Sequence, residues 1–294
     1  MPYLGEVSAL VTAGFWSCSA IVLSAAIARA GAIPVNVARL VLAALYLAIL
    51  IPVMGFEVRL SPGQAGLLAL SGVIGLAFGD SFLFKAFKEL GARITMLIMS
   101  TSPAVAALLA WLLLHETLTL WGIIGILVTL AGVAVVVSGR NTGPEAAFAW
   151  RGVTFGVLAA VGQGVGLIFA KMAFNEGEIN GFVATLVRIL ASLLVMIPLG
   201  VAESRSSDSF RPLRTDRRAF WLTALGAVLG PFLGISFSLI AVAHTDVGVA
   251  ATIMATVPIL MLPLVRIFYR ERLTWKAIGG AFLAVGGVAI LFLR

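Results

Sequence analysis

The stretch GLAFGDSFLFKA at residues 75–86 decides the fold, because a second copy of its pattern occurs later in the chain. Residues 230–241 read GPFLGISFSLIA, with glycine, serine, phenylalanine and alanine at the same relative positions. The same register pairs Met99 with Met254, Thr101 with Thr256, Pro103 with Pro258, Glu116 with Glu271 and Gly132 with Gly287. An apolar composition alone does not align proline, glutamate and glycine, so the chain is a duplicated unit.

The composition predicts an integral membrane protein. The chain has 294 residues, of which 61% are hydrophobic and 11% charged, and its mean hydropathy is +1.11. Soluble domains average ~45–50% apolar and ~25% charged residues. The apolar residues form blocks long enough to cross a bilayer, and a span in lipid must be a helix. The blocks are residues 7–28, 36–54, 65–86, 94–114, 120–138, 152–173, 182–201, 218–242, 249–268 and 275–293.

The ten blocks and the duplication together predict an inverted repeat. Each copy contains five spans, so the second copy enters the membrane from the opposite side. We predict an all-α membrane protein of ten transmembrane helices, with a first repeat at 1–140, a linker at 141–151 and a second repeat at 152–294. This architecture is typical of secondary transporters, whose substrate sites lie near the midplane between the copies.

The basic residues predict the orientation. Sixteen of the 20 lysines and arginines lie nearest the side that bears links 1–2, 3–4, 5–6, 7–8 and 9–10. The positive-inside rule makes that side cytoplasmic and puts both termini outside, in an inner (plasma) membrane. The net charge of +7 is therefore an orientation and lipid-contact signal, and does not indicate nucleic-acid binding.

Motifs that follow the duplicated stretch resemble those of a known family. The first copy continues with Ala86-Phe87, Gly91-Ala92, Ser102-Pro103 and His115-Glu116-Thr117-Leu118-Thr119. The second copy has Pro258, Arg270-Glu271-Arg272-Leu273-Thr274 and Gly279-Gly280. Over nearly its whole length, the chain resembles the EamA domain of the drug/metabolite transporter superfamily.

This resemblance implies a transporter in two inverted halves, with a central cavity lined by the first, third and fourth helices of each half. Members typically export amino acids or other metabolites, and eukaryotic relatives exchange nucleotide sugars or triose phosphates. Many members have both termini in the cytoplasm. The charge distribution of this chain predicts the opposite, and we keep that prediction.

Asp80 is the acidic residue placed deepest in a predicted span, and Lys85 follows it. A charge at membrane depth costs at least ~2.5–3.5 kcal/mol, so it faces a cavity or a partner. Asp80 is either a contact for a coupling proton, cation or substrate ammonium, or the acid of a structural ion pair with Lys85 or Arg39. In the second copy, Ile235 and Ile240 stand at the positions of the two charges. This asymmetry is compatible with a functional contact and with a structural ion pair.

Arg39 and Arg188 lie about one turn inside spans two and seven, near opposite faces of the membrane. A guanidinium group there is able to bind a substrate carboxylate or phosphate in a bidentate fork. The favoured alternative is that each side chain extends to the nearer membrane interface.

Pro103 and Pro258 interrupt spans four and nine at symmetric positions. A proline inside a helix removes one backbone hydrogen bond, so both are predicted hinges. Met99, Thr101 and Thr256 lie close by and are candidate cavity contacts; the alternative is kinked packing in which the hydroxyls satisfy backbone groups.

Further candidates for the cavity wall are one amide and several aromatic side chains. Gln163 lies between two glycines that let another helix approach. Trp16, Phe15 and Phe82 are aromatic candidates, with ordinary packing as their alternative. Glu116 and Glu271, at the ends of spans four and nine, are expected to make helix-end contacts.

These features favour a secondary active transporter that exports amino acids or similar small metabolites by rocking its two halves. The partners expected are a small-molecule substrate, a proton as possible coupling ion and the lipid bilayer, with the protein a monomer or weak dimer. A flippase or an exchanger of lipid-linked or phosphate-bearing anions is the alternative. An intramembrane enzyme is remote, because we find no catalytic or metal-ligand cluster, and no cofactor is predicted.

Overall fold

The computed structural model describes residues 3–114, 119–138, 146–206, 210–245, 247–270 and 273–292. Within these ranges the regular secondary structure is entirely helical. The helices are α1 (Leu4–Ala30), α2 (Ala32–Val53), α3 (Pro62–Gly72), α4 (Asp80–Met99), α5 (Ser102–Leu114), α6 (Leu120–Ser138), α7 (Ala146–Asn175), α8 (Gly181–Ser206), α9 (Arg211–Thr215), α10 (Arg217–Ala227), α11 (Ile235–His244), α12 (Val247–Met254), α13 (Val257–Phe268) and α14 (Trp275–Phe292). Two π-helical segments, π1 (Val73–Gly79) and π2 (Val228–Gly234), complete the chain order.

The protein is a multi-pass membrane protein. Seven helical stretches of the described chain are long and apolar enough to cross a bilayer, and two more apolar helices, Leu120–Val136 and Trp275–Ile290, are shorter. One of the seven stretches, Pro62–Met99, contains predicted span three and the start of span four. The count of ten spans therefore stays a prediction. Glu116, Glu271 and residues 139–145, which include part of the predicted linker, lie outside the described residues.

Gly91 separates predicted spans three and four within this continuous stretch. Its φ of 76° and ψ of 169° interrupt the helical geometry of α4. A side chain rarely tolerates positive φ, so glycine is the residue suited to this reversal. The break falls in the predicted link between spans three and four, where Gly91-Ala92 was part of the family resemblance.

The prolines predicted to interrupt spans four and nine do not lie at the interruptions. They lie at the start of the helices that follow them. Each is the second residue of a new helix, Pro103 in α5 and Pro258 in α13, where a missing N–H costs no intrahelical bond. The interruptions are the turns at 100–101 and 255–256. Thr101 Oγ1 donates to the Ile98 carbonyl and Thr256 Oγ1 to the Ile253 carbonyl, both at 2.7 Å. Each carbonyl also accepts the backbone N–H of the same threonine, so the hydroxyl adds a second hydrogen bond at each break.

The duplicated register is visible in the backbone, because π1 and π2 occupy equivalent positions of the two copies. Pro231 lies inside π2, but Leu76 takes its place in π1, so proline is not the common cause. Glycines allow an unusually close approach here. A Cβ atom on Gly162 would lie 2.8 Å from the Gly79 Cα, so the backbones of α7 and π1 touch.

The two repeats interlock rather than pack side by side. From the first repeat, α1 packs along α10, π2 and α11 of the second. From the second repeat, α7 packs along α3, π1 and α4 of the first. Further contacts between the repeats join α2 to α8 and α6 to α14. Each repeat therefore buries its helices largely against the other copy.

Equivalent N-cap residues fasten these crossed helix pairs at their ends. Ser61 caps α3, and its hydroxyl lies 3.2 Å from Glu176 Oε2 at the end of α7. Asp216 caps α10 by accepting from the backbone N–H groups of Arg218 and Ala219. Its Oδ2 also lies 2.8 Å from Arg29 Nη1 at the end of α1. The hydrogen bond from Arg29 and those from the backbone lower the pKa of Asp216.

We expect Asp216→Ala to lower thermal stability slightly, and Asp216→Asn to lower it less, because asparagine keeps the cap but loses the charge. A lowered folded-state pKa stabilises the protein above the ordinary value of 3.8, and this contribution disappears as pH falls through the folded-state pKa. Melting temperatures in detergent should therefore differ between wild type and Asp216→Asn at pH 7 and converge in acid. A difference that persists below the folded-state pKa would contradict this assignment.

Candidate transport site

A cavity of about 170 Å³ lies where the two repeats meet. Its wall comes from α1, π1, α4, the α4–α5 turn and α5 in one sequence half, and from α7, π2, α11, α12 and α13 in the other. These helices contain the predicted first, third and fourth spans of each half, which the family resemblance implies line the cavity. The predicted second span of each half adds one arginine, Arg39 from α2 and Arg188 from α8.

Asp80 and Arg39 form an ion pair inside the protein. Asp80 is the first residue of α4, directly after π1, and Arg39 lies in α2. Arg39 Nη2 donates to Asp80 Oδ2, and each side chain is about 5% exposed. Of the two structural partners considered for Asp80, Arg39 is the one that it contacts.

Further contacts fix both ends of this ion pair. Gln163 Nε2 of α7 donates to Asp80 Oδ1 at 2.7 Å and to the Gly75 carbonyl at 3.1 Å. Arg39 Nε donates to Asn36 Oδ1 at 3.0 Å, and the guanidinium lies 4.4 Å from the centre of the Phe84 ring. Both carboxylate oxygens of Asp80 thus accept hydrogen bonds, and the network joins α2, α4 and α7. The glycines beside Gln163 permit this approach, as the sequence indicates.

Arg188 is buried in the same cavity but has a different environment. It is 5% exposed, and its Nε has no hydrogen-bond partner among the described residues. The Asp80 charge attracts its guanidinium, whereas Asp80 accepts hydrogen bonds from Arg39 and Gln163. A Cβ atom on Gly75 would lie 3.3 Å from Arg188 Nη2, so that glycine leaves room for the side chain.

The expectation that Arg39 and Arg188 extend to the membrane interface is wrong. Both enter the protein from spans two and seven, and both line one cavity despite their predicted placement near opposite faces. The physical reason is the Asp80 carboxylate, which offers a counter-charge at depth and makes the inward direction favourable. Sequence position alone does not show which way a long side chain points.

Lys85, Phe82 and Phe15 do not line the cavity. The ammonium of Lys85 lies 5.1 Å from the centre of the Phe82 ring and 5.6 Å from that of Phe155. Phe15 packs against Phe237 in an edge-to-face pair with ring centres 6.0 Å apart. The ordinary packing alternative thus describes Phe15 and Phe82, whereas Lys85 contacts aromatic rings in place of the ion pair with Asp80 that was considered for it.

Four of six other predicted residues line the cavity, and two do not. Trp16, Met99, Pro103 and Pro258 line the cavity. Thr101 and Thr256 do not, since their hydroxyls bind backbone carbonyls at the helix breaks.

Several cavity residues were missed by the sequence reasoning. Leu83 and Phe87 follow Asp80 at the spacing of one helix face, so helical periodicity was a signal that would have found them. Ser19 and Ser238, on α1 and α11, carried no comparable signal.

The sequence model of the EamA-like transporter family matches residues 3–138 and again residues 150–293. The chain belongs to the EamA-like transporter family. A crystal structure similar to this EamA protein has a TM-score of 0.70 and 19% sequence identity, covering 98% of this chain and 97% of that one. At that identity the likeness shows the fold. No curated protein matches the sequence.

Family membership makes this EamA protein a membrane transporter, and the cavity is its candidate transport site. Among the described residues that line the cavity, the ionisable ones are Arg39, Asp80 and Arg188. When all three are ionised, two positive charges face one negative charge. The remaining wall is mostly apolar, with Trp16, Phe84, Phe87 and Leu167 among its side chains. The site therefore combines an excess of positive charge with apolar surface.

The two arginines of this EamA protein should affect stability differently. Arg39→Met leaves a buried carboxylate without its hydrogen-bonded partner and should cost on the order of 3 kcal/mol. Arg188→Met replaces a buried guanidinium whose Nε is unpartnered with an apolar chain, so it should be neutral or stabilising. Melting temperatures of the purified variants, without added ligand, test this. Equal losses in the two variants would show that Arg188 is as fully compensated as Arg39.

Proposed function

We propose that this EamA protein is a secondary active transporter that exports amino acids or similar small, carboxylate-bearing metabolites across the inner (plasma) membrane by alternating access. The observation that carries the proposal is a cavity between the two repeats that places buried arginines beside apolar surface. A carboxylate is a suitable partner for a guanidinium group, and an apolar substrate side chain fits the remaining wall.

The topology we propose has ten spans, with the links 1–2, 3–4, 5–6, 7–8 and 9–10 in the cytoplasm and both termini outside. Gly91 supports the count by dividing the long stretch Pro62–Met99. The shorter apolar helices α6 and α14 pack along each other, and in this topology they are the fifth span of each half. The uneven distribution of lysine and arginine supports the orientation.

We further propose that the moving units are crossed helix pairs rather than the sequence halves 1–140 and 152–294. Close packing supports this, since a Cβ atom on Gly234 would lie 2.7 Å from the Trp16 ring, and Gly162 of α7 touches Gly79 of π1. Sliding within such pairs would cause backbone and ring clashes. The turns at 100–101 and 255–256, just before Pro103 and Pro258, are then the hinges at which the cavity wall changes shape.

An exchanger of phosphate-bearing anions is the second candidate. The excess of guanidinium groups over carboxylates in the cavity favours it, because a phosphate monoester carries more negative charge than a carboxylate. Identifying the transported compound, a carboxylate or a phosphate-bearing anion, distinguishes the two proposals. The cavity volume of about 170 Å³ favours a compact compound in either case.

Asp80 has two possible roles in this scheme, and one experiment separates them. If Asp80 carries a coupling proton, Asp80→Asn should abolish the effect of a pH gradient while retaining exchange across the membrane. If Asp80 instead anchors Arg39, as its two hydrogen bonds favour, Asp80→Asn should reduce transport with and without the gradient. We expect the second result, with a loss of about tenfold or more, in line with a charge-assisted bond.

The measurement is uptake of labelled amino acids and phosphorylated metabolites into proteoliposomes, with and without a pH gradient. Glu57→Gln is the matched control for Asp80→Asn, since Glu57 is an exposed acid near Arg59 outside the cavity. No uptake or exchange of any compound by the folded wild type would contradict the proposed function. Unchanged transport by Asp80→Asn would remove Asp80 from the mechanism.

A further inference from the structure

The two buried arginines of the cavity differ in their hydrogen-bond partners within the protein. Arg39 donates to Asp80 and to Asn36, and its guanidinium faces the Phe84 ring. Arg188 has an Nε without a partner among the described residues, although the residue is 95% buried and lines the cavity. Nearly all buried polar groups in proteins have a hydrogen-bond partner, so a guanidinium group that lines a cavity and has an unpaired nitrogen points to a ligand for that group.

The charges of the cavity indicate the sign of that ligand. Asp80 is the only carboxylate among the described lining residues, and both of its oxygens already accept hydrogen bonds. When Asp80, Arg39 and Arg188 are ionised, the cavity holds one uncompensated positive charge beside a mostly apolar wall. An anion would neutralise it, whereas a cation would have no unengaged acid to bind.

The apolar wall indicates the rest of the ligand. Leu83, Phe87, Met96, Met254 and Leu167 face the cavity beside the charged group. Burying apolar ligand surface against them is favourable, and methionine side chains adapt to different shapes. The volume of about 170 Å³ limits the ligand to a small molecule.

We infer that Arg188 is the anion-binding residue of the cavity and that the substrate class is a small monocarboxylate with an apolar body, for which an ammonium group is not required. This inference rests on the proposed transport role of the cavity and names its substrate class. Arg39 and Gln163 are each hydrogen-bonded to Asp80. The guanidinium of Arg39 and the carboxylate of Asp80 are therefore already paired within the protein. The carboxylate of the substrate then accepts from Arg188, and its hydrocarbon part lies against the apolar wall.

A matched set of four compounds tests the inference. L-Leucine and 4-methylpentanoate carry a carboxylate, with and without an ammonium group; L-leucinamide and 4-methylpentanamide are their uncharged-amide counterparts. Binding to the purified wild type in detergent is measured by calorimetry and by the shift in melting temperature. Both carboxylates should bind, and each amide should bind at least about tenfold more weakly, because it lacks the charge-assisted hydrogen bond.

Variants then assign the effect to Arg188. Arg188→Met should weaken carboxylate binding by about tenfold or more and leave the weak amide binding unchanged. Arg188→Lys should recover part of the affinity, because it keeps the charge but not the planar fork. Arg59→Gln, at the exposed surface, should bind as the wild type does. Melting temperatures without ligand show whether each variant is folded.

Three results would overturn the inference: equal binding of amides and carboxylates, carboxylate binding that Arg188→Met leaves intact, or no binding of either carboxylate to folded wild type. The binding assay needs no transport. If carboxylates bind through Arg188 but no compound crosses the membrane in proteoliposomes, the proposed function fails and the site stands. If transport occurs without dependence on Arg188, the site fails and the proposed function stands.

Discussion

A buried ion pair constrains the centre of this protein. An ionised carboxylate inside a membrane protein is costly unless a counter-charge and hydrogen-bond donors surround it. Arg39 supplies the charge to Asp80 and Gln163 supplies a donor, so three helices from both repeats must meet at one point. Removing either donor would leave a buried oxygen unsatisfied. The hydrogen bonds of one carboxylate therefore tie α2, α4 and α7 together.

That meeting point requires backbones that approach closely. Gly162 of α7 contacts Gly79 of π1, and this contact brings Gln163 beside Asp80. In the second copy, Gly234 of π2 receives Trp16 of α1, and Ile235 replaces the acid. The two copies thus share a glycine-based framework for crossed packing, and only the first uses it to hold a charge. Arg188 enters the same space from α8 and lacks an acidic partner of its own, which gives the cavity its positive character.

Part of this arrangement was predictable from the repeat register and from the glycines beside Gln163. The repeat register predicted equivalent positions for Gly79 and Gly234, and π1 and π2 occupy them. Gln163 between glycines predicted a close helix approach. The direction of Arg39 and Arg188 was not predictable, because a long side chain near a span end reaches either the interface or the interior, depending on a partner distant in sequence. Pro103 and Pro258 were predicted to lie at the interruptions, but each is the second residue of the helix that follows one. A proline in the sequence indicates that a helix breaks nearby, but it does not identify the residue at which the break occurs.

The ligand proposed for the cavity is an anion that enters a site made positive by Arg188. Charge displacement recorded from proteoliposomes on a solid-supported membrane, after a rapid jump in 4-methylpentanoate concentration, tests this directly. The expected transient has the sign of negative charge entering the protein, and it is absent for 4-methylpentanamide and for Arg188→Met. A transient of the opposite sign, or one that the amide and Arg188→Met reproduce, would contradict anion entry at Arg188.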